Sequence, residues 1–193
     1  MFGTAPKSRL ERLADKLGRL KKRDPNQRIF GADEHRWATR PPLTTTEIES
    51  FERRHGVALP AEYREFVQSI GAGGAGPGYG LLSIDDFGVD LEPIPEGFLA
   101  AEFSQTETWE PEHVMEDISE AAYVREVQGT IRLSHGGCGY YDFLVVSGPA
   151  RGEVWHDARV SDGGLRRPQN PDGSGQSFFD WYESWLDQSL AKT

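Results

Sequence analysis

The sequence predicts an α+β domain in which helices flank an antiparallel sheet. Three observations lead to this fold class. Apolar residues recur at helical spacing through much of the first 70 positions and again after residue 177. Short segments rich in β-branched and aromatic residues, separated by glycine turns, fill residues 130–160. The links between these segments leave no room for crossover helices, so the strands are expected to pair antiparallel.

The first predicted helix begins after Ser8, which stands three residues before Glu11 in the spacing of a capping box. One side of this helix is rich in arginine and lysine, a pattern also typical of membrane-surface helices and transit peptides. Glu11 and Asp15 interrupt the basic side, which favours packing on the protein's own domain. The apolar side consists of four leucines: Leu10, Leu13, Leu17 and Leu20.

Prolines at 25, 41 and 42 indicate an irregular connector over residues 25–43. We therefore expect two parts in this chain of 193 residues. Residues 1–42 form a basic amphipathic helix with a Pro-containing connector, and residues 43–193 form the main domain. On this division, residues 1–24 are expected to be dispensable for folding of the main domain.

Two further helices open the main domain. Thr44 and Glu47 have capping-box spacing, and Gly56 suits the left-handed residue that ends a helix. Pro60 suits the first position of the next helix, which is expected to end at Gly71. The inward-facing residues are Ile48 and Phe51 in the first helix, and Tyr63, Phe66, Val67 and Ile70 in the second.

Residues 71–80 contain six glycines. Gly71, Gly73 and Gly76 match the dinucleotide-binding fingerprint, but that motif requires a preceding strand and a following helix. Here a helix precedes the glycines and a strand-like segment at 79–84 follows them. We therefore interpret residues 71–80 as a flexible turn and predict no cofactor.

The remaining elements follow in an acidic, then β-rich, then helical order. Residues 85–110 are acidic and interrupted by prolines, and Pro111 is expected to open a helix. Strands are predicted at 130–133, 140–146, 153–155 and 158–160, and a final helix after Ser177 is expected to pack against the sheet. The inward-facing helical residues are Val114, Ile118, Ala121 and Ala122, and then Phe178, Trp181, Tyr182, Trp185, Leu186 and Leu190.

Charge is distributed unevenly along the chain. The net charge of −10 divides into +6 over residues 1–40 and −16 over residues 41–193. Residues 81–130 contain thirteen acidic residues and one basic residue, Arg125. Such a body disfavours nucleic-acid binding and attracts cationic partners. No apolar run approaches the ~18 residues that span a bilayer, and no signal-peptide core is present, so we expect a cytoplasmic protein without membrane contact.

The side chains that could carry chemistry do not form a recognisable catalytic pattern. Cys138 and His135 stand close together in a glycine turn, but no third group that would orient the histidine is evident. His135, Cys138, His156 and Asp157 lack the spacing of a metal site. We therefore predict no catalytic residues and no metal.

Three segments together resemble the SUKH superfamily, which includes the Smi/Knr-type cell-wall assembly regulators. They cover residues 43–190 in family order, with a Leu-Pro pair and a glycine-rich turn first, a Gly-Gly-Cys-Gly turn between strands second, and a tryptophan-rich helix last. The resemblance implies a twisted antiparallel sheet with helices packed around it, and it implies structural roles for the motif residues. These are Leu59, Pro60, Tyr63, Gly80, His135, Gly136, Cys138, Gly139, Trp155, Trp181 and Trp185.

For bacterial members, the resemblance implies a non-catalytic immunity protein that binds and neutralises a cognate toxin of a polymorphic toxin system, such as a nuclease. A regulatory or scaffold module unconnected to a toxin is the alternative, and a cysteine-dependent enzyme is a weaker one. We expect a monomer or weak dimer whose cationic toxin partner meets the acidic stretch. The residues expected to bind it are Asp85, Asp86, Asp90, Glu110, Glu112, Glu116 and Asp117.

Overall fold

A computed structural model describes residues 7–110 and 119–193. In this part of the chain, six helices surround a four-stranded antiparallel sheet, which confirms the α+β prediction. The helices are α1 (Arg9–Arg23), α2 (Ala32–His35), α3 (Thr45–His55), α4 (Ala61–Ser69), α5 (Glu120–Arg125) and α6 (Phe178–Ala191). The strands are β1 (Thr130–Gly137), β2 (Tyr140–Val145), β3 (Val154–Asp157) and β4 (Leu165–Arg166).

Helix α1 begins at the predicted capping box and packs along α6. Leu13, Leu17 and Leu20 are buried in the same hydrophobic core as the sheet. The basic side of α1 also contacts acidic residues of α6, because Lys16 Nζ lies 2.9 Å from Glu183 Oε1 and 2.7 Å from Asp187 Oδ1. This packing argues against the expectation that residues 1–24 are dispensable for folding.

The connector between α1 and α3 is partly buried. The Asp24 carboxylate accepts hydrogen bonds from the backbone N–H groups of Arg28 and Ile29, and the Trp37 indole donates to the Asp24 carbonyl at 3.0 Å. Trp37 stacks on Trp185 of α6 with ring centroids 6.0 Å apart. The connector therefore anchors the end of α1 to the rest of the core.

Helices α3 and α4 follow the predicted boundaries closely. Thr44 and Glu47 form the predicted capping box, and Gly56 ends α3 in the left-handed conformation with φ +63°. The Arg64 guanidinium of α4 contacts the Glu52 carboxylate of α3 at 2.6 Å, and Glu52 also accepts the Leu59 backbone N–H. These contacts fix the turn between the two helices.

The glycine-rich segment is a packed turn, so the interpretation as a flexible one is corrected. Gly74 forms isolated β-bridges with Thr39 and Leu81, and Leu81 forms another with Ser134 of β1. A Cβ atom at Gly74 would lie 2.3 Å from the Ala38 carbonyl oxygen, so a side chain does not fit there. Residues 79–84 run beside β1, where Tyr79 and Leu82 donate backbone hydrogen bonds to the His135 and Leu133 carbonyls, but they form isolated bridges and not the predicted strand.

The sheet is a meander in the order β1-β2-β3-β4, as the spacing of the segments predicts. The fourth strand was predicted at residues 158–160 and lies instead at Leu165–Arg166. Arg159–Ser161 forms a 3₁₀ turn, because the Arg159 side chain folds back onto Asp157 at the end of β3. The outer edges are covered in the described part of the chain, by Leu81 beside β1 and by Trp109 beside β4.

Both faces of the sheet are buried. One face carries Phe143 and Trp155, which pack edge-to-face on Phe103 at ring distances of 5.5 and 5.0 Å. The opposite face carries Leu144 and Val154, which are fully buried. Phe103 belongs to the acidic connecting segment, so that segment forms part of the core.

Two helical predictions need correction. Trp185 is only half buried and packs on His35, Trp37 and Tyr182 rather than against the sheet. Residues 111–118, which include Val114 and Ile118 of the helix predicted after Pro111, lie outside the described residues. The helix described nearby begins at Glu120, after the N-cap Ser119. It buries Val124 and leaves Ala121, which was predicted to face inwards, exposed.

Candidate functional site

Three adjoining cavities meet at Asp90, on the side of the sheet covered by the acidic segment. Two of them, of about 490 and 890 Å³, share Asp90, Glu92 and Glu120 in their walls. We call these two the acidic groove. Tyr123 and Val124 line one part and Ile94 lines the other, and the described walls contain no basic residue. The third cavity, of about 390 Å³, continues from Asp90 towards the turn between β1 and β2.

The backbone of the acidic segment is held against β1 by hydrogen bonds. The Arg132 backbone N–H donates to the Phe87 carbonyl at 3.0 Å, and the Arg132 guanidinium donates to the Val89 carbonyl. The Tyr141 hydroxyl of β2 donates to the Asp90 carboxylate, and Asp90 itself has a φ of +57°. Asp90 is therefore fixed where the groove and the third cavity meet.

A buried ionic network centred on Arg159 lies beside Asp90, at the third cavity. Arg159 binds Asp157 in a bidentate arrangement, with Nε–Oδ1 and NH2–Oδ2 distances of 2.9 and 2.7 Å. The Arg159 guanidinium also lies 3.3 Å from Glu126 Oε2 and 3.7 Å from the centre of the Tyr123 ring. Because Arg159 and Asp157 are both buried, each charge depends on the other for stabilisation.

A second arginine, Arg132, stacks on Tyr141 with its guanidinium carbon 3.8 Å from the ring centre. Burial lowers the pKa of Arg132, although its NH2 lies 3.9 Å from Asp157. Burial and the hydrogen bond to Asp90 raise the pKa of Tyr141 to about 12, so its hydroxyl remains a donor at neutral pH. The two arginines are thus paired with buried groups, and the carboxylates of the groove are left to face outwards.

The four described acidic residues predicted to bind a partner, Asp85, Asp86, Asp90 and Glu110, do not form one patch. Asp85 and Asp86 lie in a 3₁₀ turn beside β1, where Asp86 is 3.9 Å from Arg40. Glu110 lies beyond β4 and is 3.8 Å from Arg166, so it is near the opposite edge of the sheet. Of these four, Asp90 alone is named in the walls of the acidic groove. Glu112, Glu116 and Asp117 lie outside the described residues.

The sequence analysis did not single out Glu92, Glu120 or Tyr123 as site residues. Glu120 and Tyr123 stand three residues apart in one helix, a spacing that places them on one side. Arginines inside the apolar, β-rich segment 130–160 were a second available signal, since Arg132 and Arg159 lie beside Asp90 in the third cavity. Neither signal identifies the cavity itself, because the cavity depends on how a long irregular segment crosses the sheet.

A model of the SMI1/KNR4 family (SUKH-1) matches residues 42–184. The chain belongs to this family. No curated protein and no solved structure gives a significant match. The match covers every residue named in the walls of the acidic groove, whereas α1 and most of the connector lie before it. The SMI1/KNR4 region is therefore the part of the chain that forms the candidate site.

The residues that carry the family resemblance have positions consistent with structural roles. Gly80 has a φ of +108°, and a Cβ there would lie 2.5 Å from the Gly74 carbonyl oxygen. Gly136, Cys138 and Gly139 form or adjoin the turn between β1 and β2. Gly80 is buried, and so are Leu59, Pro60, Tyr63, Trp155 and Trp181.

The cysteine–histidine pair is not arranged as a nucleophile with its base. Cys138 is exposed with a φ of +50°, and the His135 ring stacks on Tyr141 at 4.8 Å and contacts Tyr79 at 5.8 Å. His135 is thus held between tyrosines. Among residues 7–110 and 119–193, no group of three or more His, Cys, Asp or Glu side chains is placed to hold a metal ion.

A serine–aspartate–histidine cluster also lies on the sheet. Asp142 accepts a hydrogen bond from Ser134 Oγ at 3.0 Å and contacts His156 Nδ1 at 2.9 Å. Both partners use the carboxylate, so the serine is not activated by the histidine as a catalytic triad requires. The hydrogen bond to Asp142 raises the pKa of His156, so protonation of the ring converts this contact into a cross-strand ion pair. No helix in the described ranges is long and apolar enough to span a bilayer.

Proposed function

We propose that this SMI1/KNR4-family chain is a non-catalytic immunity protein that binds and neutralises a cognate toxin in the bacterial cytoplasm. The observation that carries the proposal is a groove within the SMI1/KNR4 region whose described walls carry several carboxylates and no basic residue. Such a groove suits a cationic protein surface. Nuclease toxins present such surfaces because they bind phosphate backbones.

The charges of the groove favour rapid association with a cationic partner. Asp90, Glu92 and Glu120 line a concave surface, where field lines from like charges concentrate. Complementary charge of this kind increases association rates more than it increases final affinity. An immunity protein benefits from fast capture, since the toxin damages the cell for as long as it is free.

The arrangement of the polar side chains supports a binding role over a catalytic one. Arg132 and Arg159 are engaged by buried partners, and the described residues of the groove walls include no histidine, cysteine, serine or lysine beside the carboxylates. The exposed Cys138 thiol lacks a hydrogen-bonded histidine base, which nucleophilic catalysis requires. Neutralisation by binding alone needs none of these groups.

Growth rescue tests the proposal directly. The protein is co-expressed in a bacterial host with the toxin domain encoded beside its own gene. We expect growth to be restored with that toxin and not with a toxin domain from an unrelated gene neighbourhood. Cys138→Ser is expected to rescue growth as well as the unsubstituted protein does, because binding does not use the thiol.

Two outcomes would contradict the proposal. Failure of the folded protein to restore growth, together with no measurable binding to the toxin domain, would favour the regulatory or scaffold alternative. Rescue that Cys138→Ser abolishes in a folded variant would favour a cysteine-dependent enzyme.

A further inference from the structure

Exposed apolar side chains are concentrated in one region of the described surface. The large hydrophobic residues with the greatest exposure are Phe30 at 61%, Val160 at 51%, Tyr79 at 43% and Ile94 at 40%. Three of these four adjoin the turn between β1 and β2, and Ile94 lines the acidic groove. Apolar residues scattered singly need no explanation, whereas a contiguous set marks an interaction surface.

The contacts around the turn place three of these side chains on its two sides. Phe30 packs on Tyr79 with ring centroids 5.1 Å apart, and the Tyr79 ring lies beside Gly137, whose Cβ would be 3.3 Å from Tyr79 Cε2. On the other side of the turn, Val160 lies against Gly139. Cys138, at the tip between these glycines, is exposed. We call Phe30, Tyr79 and Val160 the anchor surface, and Cys138 lies beside them at the tip of the turn without being one of the anchors.

The anchor surface is continuous with the acidic groove. Gly139 and Val160 line the third cavity, and so do Tyr141 and Asp90. Asp90 in turn lines both parts of the groove. A partner that crosses the turn therefore meets apolar side chains first and a row of carboxylates next to them.

We infer that the anchor surface and the acidic groove form one docking surface for a cationic protein that presents an apolar side chain flanked by lysine or arginine. This inference rests on the proposed function and assigns the surface that it uses. The glycines allow Tyr79 and Val160 to pack closely on the two sides of the turn, because a Cβ at Gly139 would lie 2.9 Å from Val160 Cγ2. Aromatic anchors of this type carry most of the energy in protein interfaces, while surrounding charges set the rate of encounter.

The two halves of the surface are expected to act on different rate constants. Phe30→Ala combined with Tyr79→Ala should raise the rate of dissociation from the toxin domain encoded beside the gene by about 30-fold or more, with association changed less. Phe30→Tyr combined with Tyr79→Phe keeps both rings and is expected to dissociate within about 3-fold of the unsubstituted protein. Surface plasmon resonance measures both rate constants, and thermal unfolding verifies that each variant is folded.

The single cysteine provides a second test that needs no change to the anchor surface. Alkylation of Cys138 by iodoacetamide is expected to slow by about 10-fold or more when the toxin domain is bound. A matched control carries Thr46→Cys in a Cys138→Ser background, and this exposed position on α3 is expected to stay reactive in the complex.

The outcomes separate the docking surface from the function. Binding by the unsubstituted protein, with unchanged Cys138 reactivity and unchanged dissociation of the double alanine variant, overturns the surface and leaves the proposed function standing. Absence of any binding by the unsubstituted protein overturns both. Protection of Cys138 with faster dissociation of the alanine variant supports the surface.

Discussion

Arg159 holds together the elements on the side of the sheet that carries the acidic groove. Its guanidinium is fully buried, and it holds Asp157, Glu126 and the backbone carbonyl of Tyr123 at the same time. Burial raises the pKa of Glu126 above its usual range even though Arg159 opposes this. The network connects β3, the following turn and α5, and it positions Tyr123 in the wall of the acidic groove.

Replacing Arg159 should therefore be costly. In Arg159→Met, Asp157 would keep its buried charge with only Arg132 nearby at 3.9 Å, so we expect a loss of about 3–5 kcal/mol in the free energy of unfolding. Arg166→Met removes an exposed arginine nearby and should cost less than about 0.5 kcal/mol. Denaturant unfolding measures both values. A loss below about 1 kcal/mol for Arg159→Met would show that the network contributes little.

At the scale of elements, α1 and α6 form the best-connected helix pair. Arg9 contacts Asp180 and Glu183, and Lys16 contacts Glu183 and Asp187. Burial alone would raise the pKa of Asp180, but hydrogen bonds from Arg9, Asn170 and Ser177 overcome this and lower it to about 2. Because this pKa is lower than the 3.8 of an unfolded aspartate, the stabilisation is present above about pH 4 and is lost as the pH falls towards 2.

Deletion of residues 1–24 should consequently destabilise the protein. It removes three buried leucines from the core, each worth about 2–5 kcal/mol when truncated, partly offset by the entropy of a helix that no longer has to be ordered. We expect the deletion to consume most of the ~5–15 kcal/mol available to a domain. Circular dichroism and denaturant unfolding test this, and a truncated protein within about 1 kcal/mol of the full chain would show that α1 is an appendage.

The elements that are predicted correctly from the sequence are those whose signals are local. The capping boxes at Ser8, Thr44 and Ser177 and the left-handed cap at Gly56 locate helix ends because each satisfies backbone groups within four residues. The position of β4 is not local in this sense. The ion pair between Arg159 and Asp157 turns the chain where apolar residues alone indicated a strand. Trp185 was placed on the sheet because periodicity identifies a buried side of a helix and not the element that covers it.

The same limit applies to the candidate site. Acidic density draws attention to the segment that contains Asp90, but density along the chain does not give proximity in space. Asp86 and Glu110 lie towards opposite edges of the sheet, while Glu120 joins Asp90 from a helix thirty positions later. The groove depends on hydrogen bonds from Arg132 and Tyr141, which have no signature in sequence spacing.

At the scale of the whole molecule, the positive and negative charges lie in different parts of the chain and differ in how far they are paired. The +6 of residues 1–40 lies partly in α1, where Arg9 and Lys16 pair with α6. The −16 of the remaining chain includes carboxylates of the groove for which no cationic partner is described, such as Glu92 and Glu120. The internal pairing leaves the groove available to a partner.

The association rate with the toxin domain, measured as a function of salt, tests the central claim most directly. Glu92→Lys with Glu120→Lys reverses two groove charges, and Glu49→Lys with Glu65→Lys makes the same change in net charge on α3 and α4. We expect the groove variant to associate about 10-fold more slowly at about 10 mM salt and to lose most of the salt dependence that the unsubstituted protein shows up to about 150 mM. The control should remain within about 2-fold of the unsubstituted protein. Equal association rates for the two double variants, measured on folded proteins, would contradict a groove that captures a cationic toxin.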